Sequence, residues 1–374
     1  MPLFNLLADQ HIPFLEILFP HPVSIERFDP SSGPAEEQLS RAQALLIRTV
    51  TRVDAPLLRA APELRFIHSA TAGYDHLDFD LLSSFGIDAG WSAGCNARSV
   101  AEYVASALLV WAEKQHRKPE ELTAGVVGAG HAGSAVADLL TRLGCRCRLY
   151  DPPRQEREPD WQSASETAIL NSDIITFHTG LNQYPDHPSY HWLGSNRLAG
   201  CNARLFINAA RGGVVDESAL LAHLNHRDGD AILDVWEQEP RFTPESARSA
   251  WLATPHIAGY SRQSKFRATR MAANRIYRFF NLEPPETEKL PANTKMDDSG
   301  DAPSEAELIA ATHPMFAMHP RMQELASEAD PQRRASRFAE LRVSYAIPDE
   351  WQAMEIPEGI LSKFPRIAAL SRQD

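Results

Sequence analysis

The stretch Gly128-Ala129-Gly130-His131-Ala132-Gly133 constrains the fold of this chain more than any other. It follows the apolar pair Val126-Val127 and precedes a segment, Ser134 to Leu143, with helical character. A G-x-G-x-x-G turn between strand and helix is the phosphate-binding corner of a doubly wound α/β sheet. The first glycine allows the tight turn, the second lets the backbone approach a pyrophosphate, and the third lets helix and strand pack closely. The N-terminus of the helix offers N–H donors and the positive end of its dipole. The next strand-like run, Cys145-Arg146-Cys147-Arg148-Leu149-Tyr150, ends at Asp151, 18 positions beyond Gly133. That is close to the roughly 20 expected of a carboxylate that binds ribose hydroxyls. A carboxylate there repels a 2′-phosphate, so NAD is expected over NADP, with Arg154 nearby as the opposing feature.

The rest of the pattern agrees. Between 122 and 236, short apolar runs alternate with helix-like pieces: Ile174-Ile175-Thr176-Phe177, Leu205-Phe206-Ile207-Asn208 and Ala231-Ile232-Leu233 follow the runs already named. Such alternation specifies a doubly wound sheet. Residues 1–94 repeat the theme with Asn5-Leu6-Leu7-Ala8, Ala44-Leu45-Leu46-Ile47 and Phe66-Ile67-His68, each ending in small or polar residues, as parallel strands do at a crevice. A long helix is expected over 97–117, with Val100, Val104, Leu108 and Trp111 on one stripe, and an Arg-rich helix over 261–280. The stretch from Pro284 to Ser304, rich in Pro, Asp, Glu and Ser, reads as a linker before a third segment of about seventy residues, marginal for a core of its own.

Composition excludes several function classes. The chain has 374 residues and a net charge of −12 without a long basic run, which argues against nucleic acid and anionic membrane surfaces as partners. Its N-terminus carries Asp9 and Glu16 and no basic region, unlike a signal peptide, and no apolar run approaches the ~20 residues of a membrane helix. A cytoplasmic protein is expected. Four cysteines do not make a disulfide framework, and Cys145 and Cys147 read as ordinary strand packing.

Three segments past candidate strands carry the chemistry. Asn208-Ala209-Ala210-Arg211 offers an arginine, Asp234-Val235-Trp236-Glu237-Gln238-Glu239 a glutamate, and Thr254-Pro255-His256 a histidine. Oxidation of a 2-hydroxy acid moves a hydride from C2 to a nicotinamide while the hydroxyl loses a proton. His256 suits the proton near neutral pH. Glu239 suits the other imidazole nitrogen. Arg211 suits the substrate carboxylate, which its planar fork can grip while polarising the developing carbonyl.

These segments, with the glycine motif and Gly94-Cys95-Asn96-Ala97-Arg98-Ser99-Val100-Ala101-Glu102, resemble the D-isomer-specific 2-hydroxyacid dehydrogenase family over about residues 1–285. Arg48-Thr49-Val50-Thr51, Ala70-Thr71-Ala72-Gly73-Tyr74-Asp75-His76, Asp151-Pro152-Pro153-Arg154, Phe177-His178-Thr179 and His256-Ile257-Ala258-Gly259-Tyr260-Ser261 resemble the branch of it that oxidises 4-phospho-D-erythronate at C2 in vitamin B6 synthesis. The resemblance implies an α/β fold of two Rossmann-like doubly wound domains plus a small C-terminal α+β dimerisation domain. The substrate domain would take 1–95 and 258–285, the NAD domain 96–257, and the linker and dimerisation domain 286–374. It implies a homodimer with a small phosphorylated hydroxy acid as substrate and NAD as cofactor. It assigns catalysis to Arg211, Glu239 and His256, and substrate contacts to Thr49, Thr71 and Tyr260. Contacts to NAD fall to Gly128, Gly130, His131, Ala132, Gly133, Asp151, Thr179, Ala210, Asp234 and Gly259. Gly180, where the family usually has Pro, and the polar stretch after it depart from the pattern; His178, His187 and His191 are read as a surface loop, with no metal. Positive charge for the phosphate is expected from Arg48, from amides around Thr71-Ala72-Gly73, or from Arg337 or Arg342 of a partner subunit. Other readings are a glyoxylate/hydroxypyruvate reductase, a D-lactate dehydrogenase, or a non-catalytic dinucleotide-sensing scaffold.

Overall fold

The structure, a computed structural model, describes residues 3–286, 290, 295–296 and 304–372. Most of the expected linker, 284–304, lies outside the described residues. The chain divides into two units, 1–96 with 262–291 and 97–261 with 292–374.

In the first unit, β1 (Asn5–Asp9), β2 (Ser24–Phe28), β3 (Ala44–Ile47), β4 (Phe66–Ser69) and β5 (Asp88–Trp91) form a parallel sheet of order β2-β1-β3-β4-β5. The strands legible from sequence, β1, β3 and β4, are the interior ones, and β3 and β4 are buried along their whole length. The two not foreseen, β2 and β5, are the edges; their Ser-Ile-Glu-Arg-Phe and Asp-Ala-Gly-Trp sequences are only partly buried and carry no continuous apolar run. The returning helix Arg262–Phe279 buries Phe266, Ala272, Ala273, Ile276 and Tyr277 and keeps most of its arginines outside the core. Phe4 packs edge-on to Tyr277, with ring centroids 5.6 Å apart, and stacks on Phe280 at 4.7 Å.

In the second unit, β6 (Thr123–Val127), β7 (Arg146–Tyr150), β8 (Ile174–Phe177), β9 (Leu205–Asn208), β10 (Asp230–Leu233) and β11 (Leu252–Ala253) form a parallel sheet of order β11-β10-β9-β8-β6-β7. The strand order reverses at β6, which lies between β7 and β8, and open α/β sheets bind ligands outside the carboxyl ends of their strands at such a point. The helix Ala97–Lys114 is buried at every residue from Arg98 to Ala112, not along one stripe. Its further sides are covered by the C-terminal segment. Trp351, only 1% exposed, donates its indole N–H to Ser106 Oγ at 3.3 Å and its backbone N–H to Glu102 Oε2 at 3.0 Å. Arg98 pairs with Glu102 at 2.6 Å and donates to the Leu370 carbonyl.

Two expectations change here. Residues 304–372 belong to the second unit and do not stand apart as a third domain, because their apolar side chains are used on it: Leu308, Ile309, Phe338, Leu341, Tyr345 and Trp351 are all buried, while Val343 and Ile347 are exposed. Among its described residues the segment is also helical rather than α+β. Its described residues form the helices Glu305–Thr312, Met318–Leu325, Pro331–Val343, Glu358–Lys363 and Pro365–Ser371, and the β-pairing is one isolated bridge between Lys295 and Glu355.

Trp351→Ala should therefore cost about 3–5 kcal/mol, the usual range for a fully buried tryptophan. Chemical denaturation followed by far-UV circular dichroism measures it, and a loss below 1 kcal/mol would contradict the packing described.

Candidate active site

The glycine loop leaves β6 with Gly128 at φ 89°, a left-handed conformation. A Cβ there would lie 2.6 Å from the Thr179 nitrogen, so the loop after β8 presses directly on the turn and brings Thr179 to it. The helix His131–Arg142 starts from Gly130 with no side-chain cap, and nothing stands within 4 Å of where a Gly130 Cβ would be. The amides at His131 and Ala132 therefore begin a helix beside open space, the arrangement that suits an anionic pyrophosphate. Gly133 packs against the Gly128 carbonyl, where a Cβ would lie at 1.8 Å.

Asp151 follows β7 and is clamped beside this loop. Its Oδ2 accepts from the Ala129 N–H at 2.8 Å and its Oδ1 from the Arg154 N–H at 2.9 Å, capping the helix Pro152–Arg157. Arg154 is committed as well: it donates to the Ala129 carbonyl at 2.7 Å and to Glu158 at 2.9 Å, and lies over the Trp161 ring. Its fork is thus tied to the protein. The loop, the helix terminus and Asp151 fit NAD.

The other three strand ends converge in the same unit. Asn208 closes β9 and holds the next turn by donating from Nδ2 to the Arg211 carbonyl at 3.0 Å, while Arg211 Nη1 donates to the Ala210 carbonyl at 2.8 Å. At Gly212 a Cβ would stand 1.9 Å from the Trp236 carbonyl oxygen, so the turn bearing Arg211 lies against the turn bearing Glu239. Glu239 accepts from the Trp236 N–H with Oε1 at 2.9 Å and meets His256 Nδ1 with Oε2 at 2.7 Å. Burial would raise the Glu239 carboxyl, but the charge and hydrogen bond of His256, the Trp236 N–H and the cation of Arg342 outweigh it and hold it below the usual carboxylate range. His256 has φ 58°, an uncommon conformation for a residue with a side chain, and its N–H donates to the Asp234 carbonyl at 2.7 Å.

Asp234, expected at the cofactor, is 1% exposed and holds the histidine loop from beneath. Its Oδ1 accepts from Thr254 Oγ1 at 2.6 Å and from the Ile257 N–H at 2.7 Å, and its Oδ2 accepts from the Ala258 N–H at 2.9 Å. Burial pushes this carboxyl upward, opposed by His256, Thr254 and the two amides.

The family model for the NAD-binding domain of D-isomer-specific 2-hydroxyacid dehydrogenases matches residues 97–258. A relative from Marinobacter nauticus, erythronate-4-phosphate dehydrogenase, is 37% identical over 94% of this chain and 94% of its own. The chain belongs to the D-isomer-specific 2-hydroxyacid dehydrogenases, in the erythronate-4-phosphate dehydrogenase branch. The enzyme of that name from Pseudomonas paraeruginosa is 42% identical over 71% of this chain and 70% of its own. Solved structures agree on the fold. D-Lactate dehydrogenase of Aquifex aeolicus, complexed with NAD and lactic acid, matches at a TM-score of 0.58 and 23% identity over 74% of this chain and 95% of that one. The NAD-bound 3-phosphoglycerate dehydrogenase of Entamoeba histolytica matches at 0.61 and 20% over 77% and 99%. NAD is the cofactor of this dehydrogenase.

The remaining expected residues fall in several places. Thr49 is exposed in the turn after β3, and Thr71 follows β4, the strand beside it, where its hydroxyl contacts Ser69 Oγ at 2.6 Å and donates to the Gly73 carbonyl at 3.0 Å. Arg48 is already used: its fork grips the fully buried Asp9 at 2.8 and 3.2 Å. Gly259 and Tyr260 continue the histidine loop in the second unit. Arg337 is a surface partner of Glu324 at 2.7 Å, whereas Arg342 lies beside Tyr260 of its own chain.

The three histidines do not share a surface loop. His178 is half-buried with its Nδ1 enclosed; desolvation lowers it to about 3, and its Nε2 contacts Thr176 Oγ1 at 2.8 Å. His187 is on the surface with Glu156 at 2.8 Å. His191 meets Glu237 at 2.6 Å and lies 3.8 Å from Asp216; these three offer ligand-type atoms within 4.8 Å of one another, but the hydrogen bond to Glu237 and the capping of the helix Glu217–His226 by Asp216 account for their positions. Sequence reasoning passed over Glu217, whose carboxylate accepts the Glu237 N–H at 2.6 Å and so supports the turn leading to Glu239. The only signal was its place after the helix-capping Asp216.

The open space at Gly130 and the crowding at Gly128 give opposite expectations for one substitution. Gly130→Ala should fold normally yet raise the Kd for NADH about tenfold or more, the worth of one charge-assisted hydrogen bond. Gly128→Ala should lower the melting temperature instead. Fluorescence titration and thermal melts of both variants distinguish them.

Proposed function

We propose that this dehydrogenase oxidises 4-phospho-D-erythronate at C2 to 3-hydroxy-2-oxo-4-phosphooxybutanoate, a step towards pyridoxal 5′-phosphate. The observation that carries the reaction type is the 2.7 Å contact between His256 Nδ1 and the Glu239 carboxylate. The substrate is supported by the name shared by relatives at 37–42% identity. Glu239, held ionised, takes the Nδ1–H and leaves Nε2 to accept the proton of the C2 hydroxyl. As the proton arrives, the carboxylate stabilises the imidazolium. Arg211 grips the C1 carboxylate and steadies the negative charge that develops on the C2 oxygen. NAD, when bound, supplies the hydride acceptor at its nicotinamide. Gly128, Gly130, His131, Ala132 and Gly133 hold its phosphates, Asp151 its ribose, and Thr179, Ala210 and Gly259 line its remaining course, with the buried Asp234 supporting that side from behind. Thr49, Thr71 and Tyr260 meet the substrate.

The reading extends to a homodimer in the cytoplasm, without nucleic acid or membrane partners. No helix of the described residues is long and apolar enough to cross a membrane. Among the described residues of the C-terminal segment, Val343, 85% exposed, and Ile347 are the exposed large apolar side chains open to a second copy. Val343→Glu should shift the chain to a monomer in sedimentation velocity; a wild-type monomer would end this part of the reading.

The central experiment is NADH absorbance with phosphoerythronate against D-lactate and D-glycerate. Turnover of lactate or glycerate alone would overturn the substrate, and NAD binding without turnover would favour a sensing scaffold. His256→Asn, chosen because Asn tolerates the left-handed backbone at 256, should bind NAD and lose roughly 10²–10⁴-fold in kcat. Glu239→Gln removes the negative charge beside the imidazolium. The imidazolium formed as the hydroxyl proton arrives then lacks its partner, and kcat for oxidation should fall about 10- to 100-fold while NAD binding stays unchanged. An unchanged kcat would contradict the pairing.

A further inference from the structure

Arg342 stands in the last turn of the helix Pro331–Val343 and reaches Tyr260 of the same chain. Its Nη2 donates to the phenol oxygen at 3.2 Å, and its guanidinium carbon is 5.9 Å from the ring centroid. Its charge is also felt by Glu239, the residue that touches His256. What this side chain does not have is an anion. Among the described residues no carboxylate pairs with it, and its Nε is buried with no acceptor. Arg333 and Arg337 of the same helix are neutralised by Asp330 and Glu324. A half-buried guanidinium with an unused donor is costly unless something negative arrives.

We propose that Arg342, with Tyr260, takes the phosphate of the substrate, so that the C-terminal segment contributes a specificity-determining residue to the active site of its own subunit. The inference rests on the phosphorylated substrate proposed above. The division of labour is chemical. Arg211 follows β9 on the strand-end turn that meets the Glu239 turn, and suits the carboxylate adjacent to the reacting carbon. Arg342 enters from another element, on the loop that runs from His256 to Tyr260, and suits a second anionic group further along the same molecule. The other arginine expected to hold the phosphate, Arg48, has its fork on the buried Asp9. A guanidinium matches phosphate with two parallel N–H donors, and the phenol hydroxyl, already bonded to that guanidinium, adds a third.

The test compares wild type, Arg342→Gln and Arg342→Lys with 4-phosphoerythronate and with unphosphorylated erythronate. Inorganic phosphate serves as a competitive probe. Arg342→Gln should raise KM for phosphoerythronate roughly 10- to 100-fold, the worth of a charge-assisted hydrogen bond, with a much smaller change in kcat. Its kcat/KM for erythronate should fall far less. Inhibition by inorganic phosphate should weaken in parallel, and Arg342→Lys should restore part of both effects, since it returns the charge without the fork. Equal losses for the two substrates would overturn the proposal and make Arg342 a support for Tyr260 or for the fold. Unchanged phosphate inhibition would also overturn it. If Arg342→Gln does not fold, Arg342→Lys carries the same comparison. A wild-type enzyme that ignores phosphoerythronate but oxidises another hydroxy acid refutes the substrate reading, a result distinct from a variant that fails to discriminate.

Discussion

The buried carboxylate of Asp234 is the interaction on which the site depends. Removed from water at the end of β10, it accepts one hydroxyl and two backbone N–H groups from the segment 254–258, and its own carbonyl accepts the N–H of His256. A carboxylate so placed is tolerable only because its lone pairs are used. The reward is a histidine held in a backbone conformation it would otherwise avoid. The chain of contacts continues outward: Tyr103 donates to or accepts from Thr254 at 2.7 Å, and the Trp236 indole donates to the Thr254 carbonyl at 3.0 Å. The helix Ala97–Lys114, which carries Tyr103, is thereby connected to the position of His256.

A second network fixes the glutamate. Trp236 gives its backbone N–H to Glu239, Glu237 gives its own to Glu217, and the Glu237 carboxylate takes His191. Each acidic residue of this network has a separate task, and only one of them faces His256. Three carboxylates close together would repel one another, and burial with that repulsion pushes Glu217 upward while Glu239 is held down by the cations beside it. The turn thus sorts its acids by what each one touches.

How much of this was legible depended on distance along the chain. The glycine loop, Asp151 and the strand ends at Arg211, Glu239 and His256 could be read because each is a local pattern, a few residues whose types only make sense together. The interior strands β1, β3 and β4 were visible for the same reason, as unbroken apolar runs. The edges β2 and β5 were not, since a strand with one open side needs no such run. Beyond that the sequence is silent about partners: nothing near Arg48 announces Asp9, nothing near His178 announces that its Nδ1 is enclosed, and nothing near Arg342 announces Tyr260, 82 positions away. The segment after the linker was read as marginal for a core of its own, and most of its large apolar residues among those described are buried within the second unit.

The helix Ala97–Lys114 has no face left for solvent, and this has a consequence for how the second unit opens. Its amides lie between the dinucleotide-binding sheet on one side and Trp351 and its neighbours on the other, so freeing them requires both contacts to be given up. In hydrogen-exchange terms the helix belongs with the slowest protons of the unit, and the C-terminal helices cannot fray away as an independent foldon without exposing it. The segment that delivers Arg342 is therefore held with the same cooperativity as the sheet that holds NAD.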